Sequence, residues 1–244
     1  MGTDVQRGFS GDQLLRMGGA ALLAALPLQV LGFALHPPSE QLEHILRPVY
    51  GPAHLVIFAS WVLAMLGLPA LYAGIAGRAG KLGLVGFVWS MVAVAYHCYL
   101  LVYEAFAVPV MARNAGSKDL LGPGGPLAHG AGALGILANV SLLAFPIFGA
   151  AVLRSGVFTK GPGRLQIAAV PGFMAGIILV SVIGGPIGPE ADNWISGMLP
   201  VTLLYALLFA GYAWAGAQMR ARTAPERRTV ASSAAVRDNA GRAG

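Results

Sequence analysis

The sequence is poor in charge and almost free of cysteine. Only 11% of its 244 residues are charged, whereas 56% are hydrophobic. Several apolar runs continue for more than about 18 residues without a charge, the length at which a run predicts a membrane span. These features exclude an ordinary soluble domain and predict a multi-pass membrane protein. The one cysteine, Cys98, lies inside an apolar run, so it can neither form an internal disulfide nor supply a cysteine-rich metal site.

Several signatures of known chemistry are missing as well. The chain has no phosphate-binding glycine loop, no HExxH metalloprotease pair and no retinal-type lysine in its last apolar run. Its apolar serines have no histidine or acid at a telling local spacing, which disfavours a serine protease. The net charge of +6 comes from basic residues at the ends of apolar runs, so we expect no nucleic-acid partner.

Six apolar runs predict an all-α integral membrane protein with six transmembrane helices. A helix of about 20 apolar residues crosses a hydrocarbon core of roughly 30 Å. We expect residues 1–219 to form one transmembrane domain and residues 220–244, rich in Arg, Ala and Ser, to form a disordered basic tail. The predicted spans are residues 14–35, 51–76, 82–112, 125–153, 165–185 and 194–219.

The distribution of Lys and Arg predicts how these spans are oriented. The termini and the even-numbered connections hold 13 of the 16 basic residues, and the other side holds Arg47, Arg113 and Lys118. Because basic residues near span ends are retained in the cytoplasm, both termini and the tail are predicted to be cytoplasmic in a cell-membrane protein. All five histidines then fall on the outer side.

A short internal repeat predicts that the helices form two-helix hairpins. A Gly-Pro pair followed by a histidine, then a proline and then an arginine recur in the same order, and a fainter third copy begins at Gly188. Three such hairpins in parallel orientation would account for six spans. The two clear copies are residues 51–54, Pro69 and Arg78, and residues 125–129, Pro146 and Arg154.

The third run carries the candidate site, because its apolar stretch ends at Glu104. His97 lies seven residues earlier, two helical turns away on the same face. Ionisable groups in membrane segments usually face a protein interior or cavity and mark function. We therefore predict catalytic roles for Glu104 and His97. Trp89, Tyr96 and Tyr103 repeat on the neighbouring stripe.

The leading functional hypothesis is a membrane-embedded enzyme that uses acid and base groups on a lipophilic, isoprenoid-like substrate, without a cofactor. Burial favours a protonated Glu104 as proton donor, with Glu190 or Asp192 as the second acid, and aromatic faces stabilise a developing carbocation. In size and helix content the chain is similar to small membrane-embedded terpene cyclases, although it carries no motif of that family. The substrate-binding residues would be His54, His129, Trp89, Tyr96, Tyr99 and Tyr103.

Three other interpretations stay open. In the first, His54 and His129 open equivalent helices and ligate a haem or a transition metal, since imidazole is the commonest metal ligand. In the second, the protein is a transporter or export protein in which Glu104 and His97 relay a proton, although no charged group continues the path inward. In the third, Glu104 reaches the lipid headgroups, the aromatic residues pack or face lipid, and the histidines are helix-start residues.

Overall fold

The computed structural model of the protein describes residues 10–121, 125, 127, 137, 140–183 and 193–223. Over this part of the chain every regular element is helical, and four helical stretches are long and apolar enough to cross a membrane. The all-α prediction is confirmed at this level. The elements are α1 (Gly11–Leu35), α2 (Leu42–Ile45), α3 (Tyr50–Val102), a π-helical turn (Tyr103–Ala107), α4 (Val108–Arg113), a 3-10 turn (Lys118–Leu120), α5 (Ala144–Ser155), α6 (Lys160–Ile183) and α7 (Trp194–Arg222).

Local sequence explains where the first and last helices, α1 and α7, begin and where α1 ends. The Ser10 hydroxyl caps α1 by accepting from the backbone N–H of Gln13 at 3.2 Å. In turn, the Gln13 side-chain oxygen accepts from the backbone N–H of Ser10 at 2.9 Å. Asn193 caps α7 in a similar way, accepting from the N–H of Ser196 at 3.1 Å. Helix α1 stops at Leu35, and His36 is extended because proline follows it.

Helix α3 is a hairpin rather than one straight rod. Its only non-helical residue is Gly80, with φ 58° and ψ −155°, so α3 has a first limb (residues 50–79) and a second limb (residues 81–102). The rings of Tyr72 and Phe87 stack 4.4 Å apart, although 15 residues of straight helix would separate them by about 22 Å. The limbs therefore run antiparallel, and the connection predicted around Arg78 and Lys81 is reduced to a single glycine.

The second limb ends in a π-helical turn that Pro109 explains. A proline ring clashes with the carbonyl four residues earlier and has no N–H to donate, and here that carbonyl belongs to Ala105. The extra residue of the π-turn relieves this conflict. A Cβ on Gly51 would lie 2.8 Å from the Ala105 oxygen, so only glycine allows the first limb to approach the turn this closely.

Helix α1 packs against both the first limb of α3 and α7 through small residues. A Cβ on Gly18 would lie 2.3 Å from Ala70 Cβ, and a Cβ on Gly19 would lie 2.6 Å from the carbonyl oxygen of Gly216. Close backbone contact of this kind is how membrane helices associate without a hydrophobic driving force. The core between the helices is aromatic and contains Trp61, Phe145, Phe148, Phe209 and Tyr212.

Four sequence predictions fall wholly or partly outside the described residues: the fourth span, three site residues, the repeat and the tail. Helix α5 covers only the end of the predicted fourth span, and His129, Glu190 and Asp192 are not among the described residues. The repeat prediction, which depends on residues 125–129, remains a prediction. Helix α7 continues through Arg222, residues 224–244 lie outside the description, and the disordered tail remains a prediction.

Candidate functional site

Four ionisable side chains converge at the end of the bundle where the α3 hairpin is open. His36 follows α1, Glu40 lies in the link before α2, His54 is in the first turns of α3, and Glu104 is in the π-turn. Their side chains are between 2% and 14% exposed. The hairpin supplies this proximity, because it returns the π-turn to the start of the first limb.

The distances within this cluster are short. His36 Nε2 lies 3.2 Å from His54 Nε2 and 3.4 Å from Glu40 Oε1. One ligand atom from each of His36, Glu40 and His54 lies within 4.8 Å of the other two. Glu104 joins from the far side, with Oε2 3.2 Å from His54 Nε2. We call His36, Glu40, His54 and Glu104 the outer cluster.

Backbone carbonyls fix the tautomers of both histidines. His36 Nδ1 lies 2.7 Å from the oxygen of Pro37, and His54 Nδ1 lies 2.8 Å from the oxygen of Tyr50. Because a carbonyl can only accept, each Nδ1 carries the proton, and the neutral rings present Nε2 lone pairs to each other. The hydroxyl of Tyr50 donates to Glu40 Oε2 and orients that carboxylate.

This arrangement brings metal-ligand atoms together and favours positive charge. Two Nε2 atoms and two carboxylates face one another in a largely buried space, where a net negative charge is costly. Either protons or a metal cation would relieve the repulsion. Tetrahedral zinc-type bonds of about 2.0–2.1 Å place neighbouring ligand atoms about 3.3 Å apart, close to the observed 3.2 and 3.4 Å. A divalent ion would also neutralise Glu40 and Glu104 together.

The structure places His97 in a second polar layer. His97 Nε2 lies 3.1 Å from the hydroxyl of Tyr205, and its Nδ1 lies 2.7 Å from the oxygen of Ala93. Its ring stacks on Trp61 at 4.3 Å, with an interplanar angle of 7°. His97 and Glu104 share a helix face as predicted, but two turns of helix separate them by about 10.5 Å of rise. Among the described histidines, Glu104 contacts His54.

The predicted aromatic residues have mixed environments. Tyr99 is 56% exposed, whereas Trp89 is partly buried against the core. Tyr96 lies edge-on to His97 with ring centroids 6.2 Å apart, and Tyr103 packs against the small cluster around Tyr50. All four residues belong to the second limb of α3 or the π-turn, and Tyr103 comes nearest to the outer cluster through its packing beside Tyr50.

Sequence reasoning missed His36 and Glu40 as members of the site, and it missed Tyr50 as the partner of Glu40 and Tyr205 as the partner of His97. A weak signal existed, because all five histidines were assigned to one side of the membrane and His36 and Glu40 have the i, i+4 spacing. Tyr205 had no such signal, since 108 residues separate it from His97.

Comparisons with protein-family models, with curated proteins and with solved structures found no match to this chain.

Proposed function

We propose that this protein is a metal-dependent, membrane-embedded enzyme whose outer cluster binds one divalent transition metal ion through His36, Glu40 and His54. Glu104 is the acid–base group beside the ion. The observation that carries this proposal is the approach of the two Nε2 atoms to 3.2 Å while both Nδ1 atoms are held by carbonyls.

Three properties of the cluster support a metal ion over protons alone. Two histidines and one carboxylate are a ligand set used by catalytic zinc and by non-haem iron, and both leave a coordination position open for a substrate or water. The carbonyls of Pro37 and Tyr50 accept hydrogen bonds from the two Nδ1 atoms, and the Tyr50 hydroxyl donates to Glu40. Metal-binding side chains are usually oriented by contacts of this kind. The charges of Glu40 and Glu104 balance a divalent ion.

The same geometry favours a small ion over a haem on these histidines. Axial histidines must approach a haem from opposite faces, but the rings of His36 and His54 meet edge to face with centroids 4.6 Å apart. That contact leaves no room for a porphyrin between them. The predicted pairing of His54 with His129 as ligands stays a prediction.

The role of Glu104 follows from its position on only one side of the cluster. Its Oε2 contacts His54 Nε2, while the compact ligand triangle is formed by the other three side chains. A carboxylate next to an open metal position can take a proton from a metal-bound water or substrate. The predicted lipophilic substrate fits this location among apolar helices, and its isoprenoid character remains a hypothesis.

Metal analysis tests this function directly. The full chain, purified in detergent and incubated with zinc, iron(II), manganese(II) or cobalt(II), should retain about one ion after gel filtration. His36→Gln and His54→Gln should lose it, whereas His97→Gln, a matched change of a buried histidine in the other layer, should retain it. Glu104→Gln should keep the metal and lose turnover of lipophilic molecules that co-purify with the wild type. No retained metal in the wild type would overturn the proposal, and loss of metal in Glu104→Gln would overturn the assigned role of Glu104.

The architecture that we propose around this site has six spans in a cell membrane with both termini cytoplasmic. Helix α1 is the first span, and the two limbs of α3 are the second and third. Helix α5 forms the end of the fourth span, and α6 and α7 are the fifth and sixth. The 13 to 3 distribution of basic residues supports this orientation. Single cysteines placed at Gly11 and Arg222 in a Cys98→Ala background should be shielded from an impermeant maleimide in intact cells, while one at Arg47 should react; the reverse pattern would overturn the orientation.

A further inference from the structure

The second polar layer contains a tyrosine that is hydrogen-bonded to a neutral histidine. His97 Nδ1 donates to the Ala93 carbonyl at 2.7 Å, so the neutral ring carries its lone pair on Nε2. Tyr205 lies 3.1 Å from that nitrogen and must be the donor. A proton leaving the Tyr205 hydroxyl therefore has a defined acceptor already in place.

Aromatic packing surrounds this pair, in which His97 is buried and Tyr205 is partly buried. His97 is 4% exposed and is covered by the indole of Trp61. Trp61 also lies edge-on to Tyr205 at 5.5 Å, and Phe33 stacks on Tyr205 at 5.6 Å. In such a site, oxidation of tyrosine without loss of its proton would create a buried charge, which is costly. Transfer of the proton to His97 places the positive charge on an imidazolium ring instead of on the oxidised phenol.

Tyr212 provides a natural contrast on the same helix. Its side chain is fully buried, whereas Tyr205 is partly buried, and its hydroxyl has no hydrogen-bond partner in the described part of the chain. The two tyrosines are two helical turns apart on α7 and are linked through the Phe209 and Trp61 rings. They differ in the presence of a proton acceptor, which is the property that decides whether a buried tyrosine can be oxidised at moderate potential.

Only one aromatic ring separates Tyr205 from the outer cluster. Phe33 stacks on Tyr205 with an interplanar angle of 22°, and its centroid lies 6.5 Å from that of His36. Phe33 is buried, at 6% exposure. Phe33 thus bridges the proposed metal ligand and the phenol at ring-centroid distances of 6.5 and 5.6 Å, which gives an electron a short path through packed side chains.

We propose that Tyr205 is a redox-active tyrosine that donates one electron to the metal ion of the outer cluster while His97 accepts its proton. This inference rests on the proposed metal site and narrows the ion to a redox-active one, iron or manganese. In the step, the Tyr205 O–H bond breaks, the proton binds His97 Nε2, and the electron reduces a metal ion that a peroxide has previously oxidised. The products are a neutral tyrosyl radical, an imidazolium and the metal ion reduced by one electron.

The experiment is freeze-quench electron paramagnetic resonance on the full chain in lipid nanodiscs. The protein is loaded with iron(II) or manganese(II), its metal content is measured on the same sample, and hydrogen peroxide is added before freezing. A tyrosyl signal is expected in the wild type, narrowed when the protein is grown with ring-deuterated tyrosine. Tyr205→Phe should lose the signal, and Tyr212→Phe should keep it.

A His97 variant tests the proton acceptor separately. His97→Phe keeps an aromatic ring on Trp61 but has no lone pair, and because a positioned base contributes about 100-fold or more, radical formation should slow by at least that factor. His97→Gln, which keeps an acceptor, should be affected less and serves if the phenylalanine variant does not fold.

The outcomes separate the two proposals. Protein that binds no metal overturns both. Protein that binds iron or manganese stoichiometrically but gives no radical, or gives an equal signal in Tyr205→Phe, leaves the metal site standing and overturns the role of Tyr205.

Discussion

His54 Nε2 lies 3.2 Å from Glu104 Oε2, although these residues open and close a helical hairpin. In a straight helix the 50 residues between them would span about 75 Å. The contact exists because the chain reverses at Gly80 and because both limbs of α3 then reach the same end of the bundle. The candidate site is therefore a consequence of the hairpin, and its integrity depends on a few residues far from it.

Gly80 should be the most sensitive of these. Its φ of 58° and ψ of −155° lie in a region open almost only to glycine, so Gly80→Ala should destabilise the fold by about 1–3 kcal/mol. Gly77→Ala is the control, because Gly77 is helical and has open space around it; it should stabilise by up to about 1 kcal/mol. Denaturant titration of the detergent-solubilised protein measures both, and equal stabilities would show that the reversal does not need glycine.

The contact between α1 and α7 depends on two facing glycines. A Cβ on Gly216 would lie 2.5 Å from the carbonyl oxygen of Gly19, and the converse distance is 2.6 Å. Gly216→Ala should force the backbones apart and cost about 1–3 kcal/mol, seen as a lower unfolding midpoint. Gly11→Ala, on the open face of α1, should change little. A Gly216→Ala protein with wild-type stability would mean that the helices are not held this closely.

A buried polar pair between α1 and the first limb of α3 gives a prediction of non-additivity. The hydroxyl of Ser60 is shared between Gln29 Oε1 and the carbonyl of Ile57, and both side chains are buried. Ser60→Ala should cost about 1–3 kcal/mol, because it strands the Gln29 amide. Adding Gln29→Leu removes the stranded group, so the double variant should be more stable than Ser60→Ala alone. A strictly additive cycle would show that the pair contributes no coupling.

Tyr50 should tune the metal site without binding the ion. Its hydroxyl donates a hydrogen bond to Glu40 Oε2. Removal of a group that orients a metal ligand typically lowers metal affinity about 10–100-fold. Tyr50→Phe keeps the buried ring and removes only this bond, so the affinity measured by competition with a coloured chelator should fall within that range. Tyr103→Phe removes a hydroxyl that contacts Met111 Sδ at 3.5 Å instead and should leave affinity unchanged. Wild-type affinity in Tyr50→Phe would argue against Glu40 as a ligand.

The sequence predicted the class of protein and much of its helix content because these depend on local properties. Long apolar runs become helices of spanning length wherever they occur, since unpaired backbone groups are too costly in lipid. Ser10 and Asn193 set helix starts, and Pro37 sets a helix end, through contacts within a few residues. A polar partner for Glu104 was also predictable, because a carboxylate at the end of an apolar run needs a partner or solvent.

The partner of Glu104 was not predictable from periodicity. The spacing of His97 and Glu104 placed them on one helix face, but residues two turns apart on a face do not meet; contact requires a second segment at the same level. His54 supplies it only because Gly80 sets the register of the two limbs and Gly51 allows close approach to the Ala105 carbonyl. Tyr205 and His97 are joined in the same way by the packing of α7.

The sequence by itself determined that this chain forms apolar helices and where several of them begin and end, and it predicted that the five histidines fall toward one side of the membrane. Only the tertiary structure decided which of those side chains meet. The physical reason is that helix formation is governed by neighbours along the chain, whereas the outer cluster draws His36, His54 and Glu104 from separate segments whose relative heights are fixed by a glycine reversal and by glycine contacts between helices.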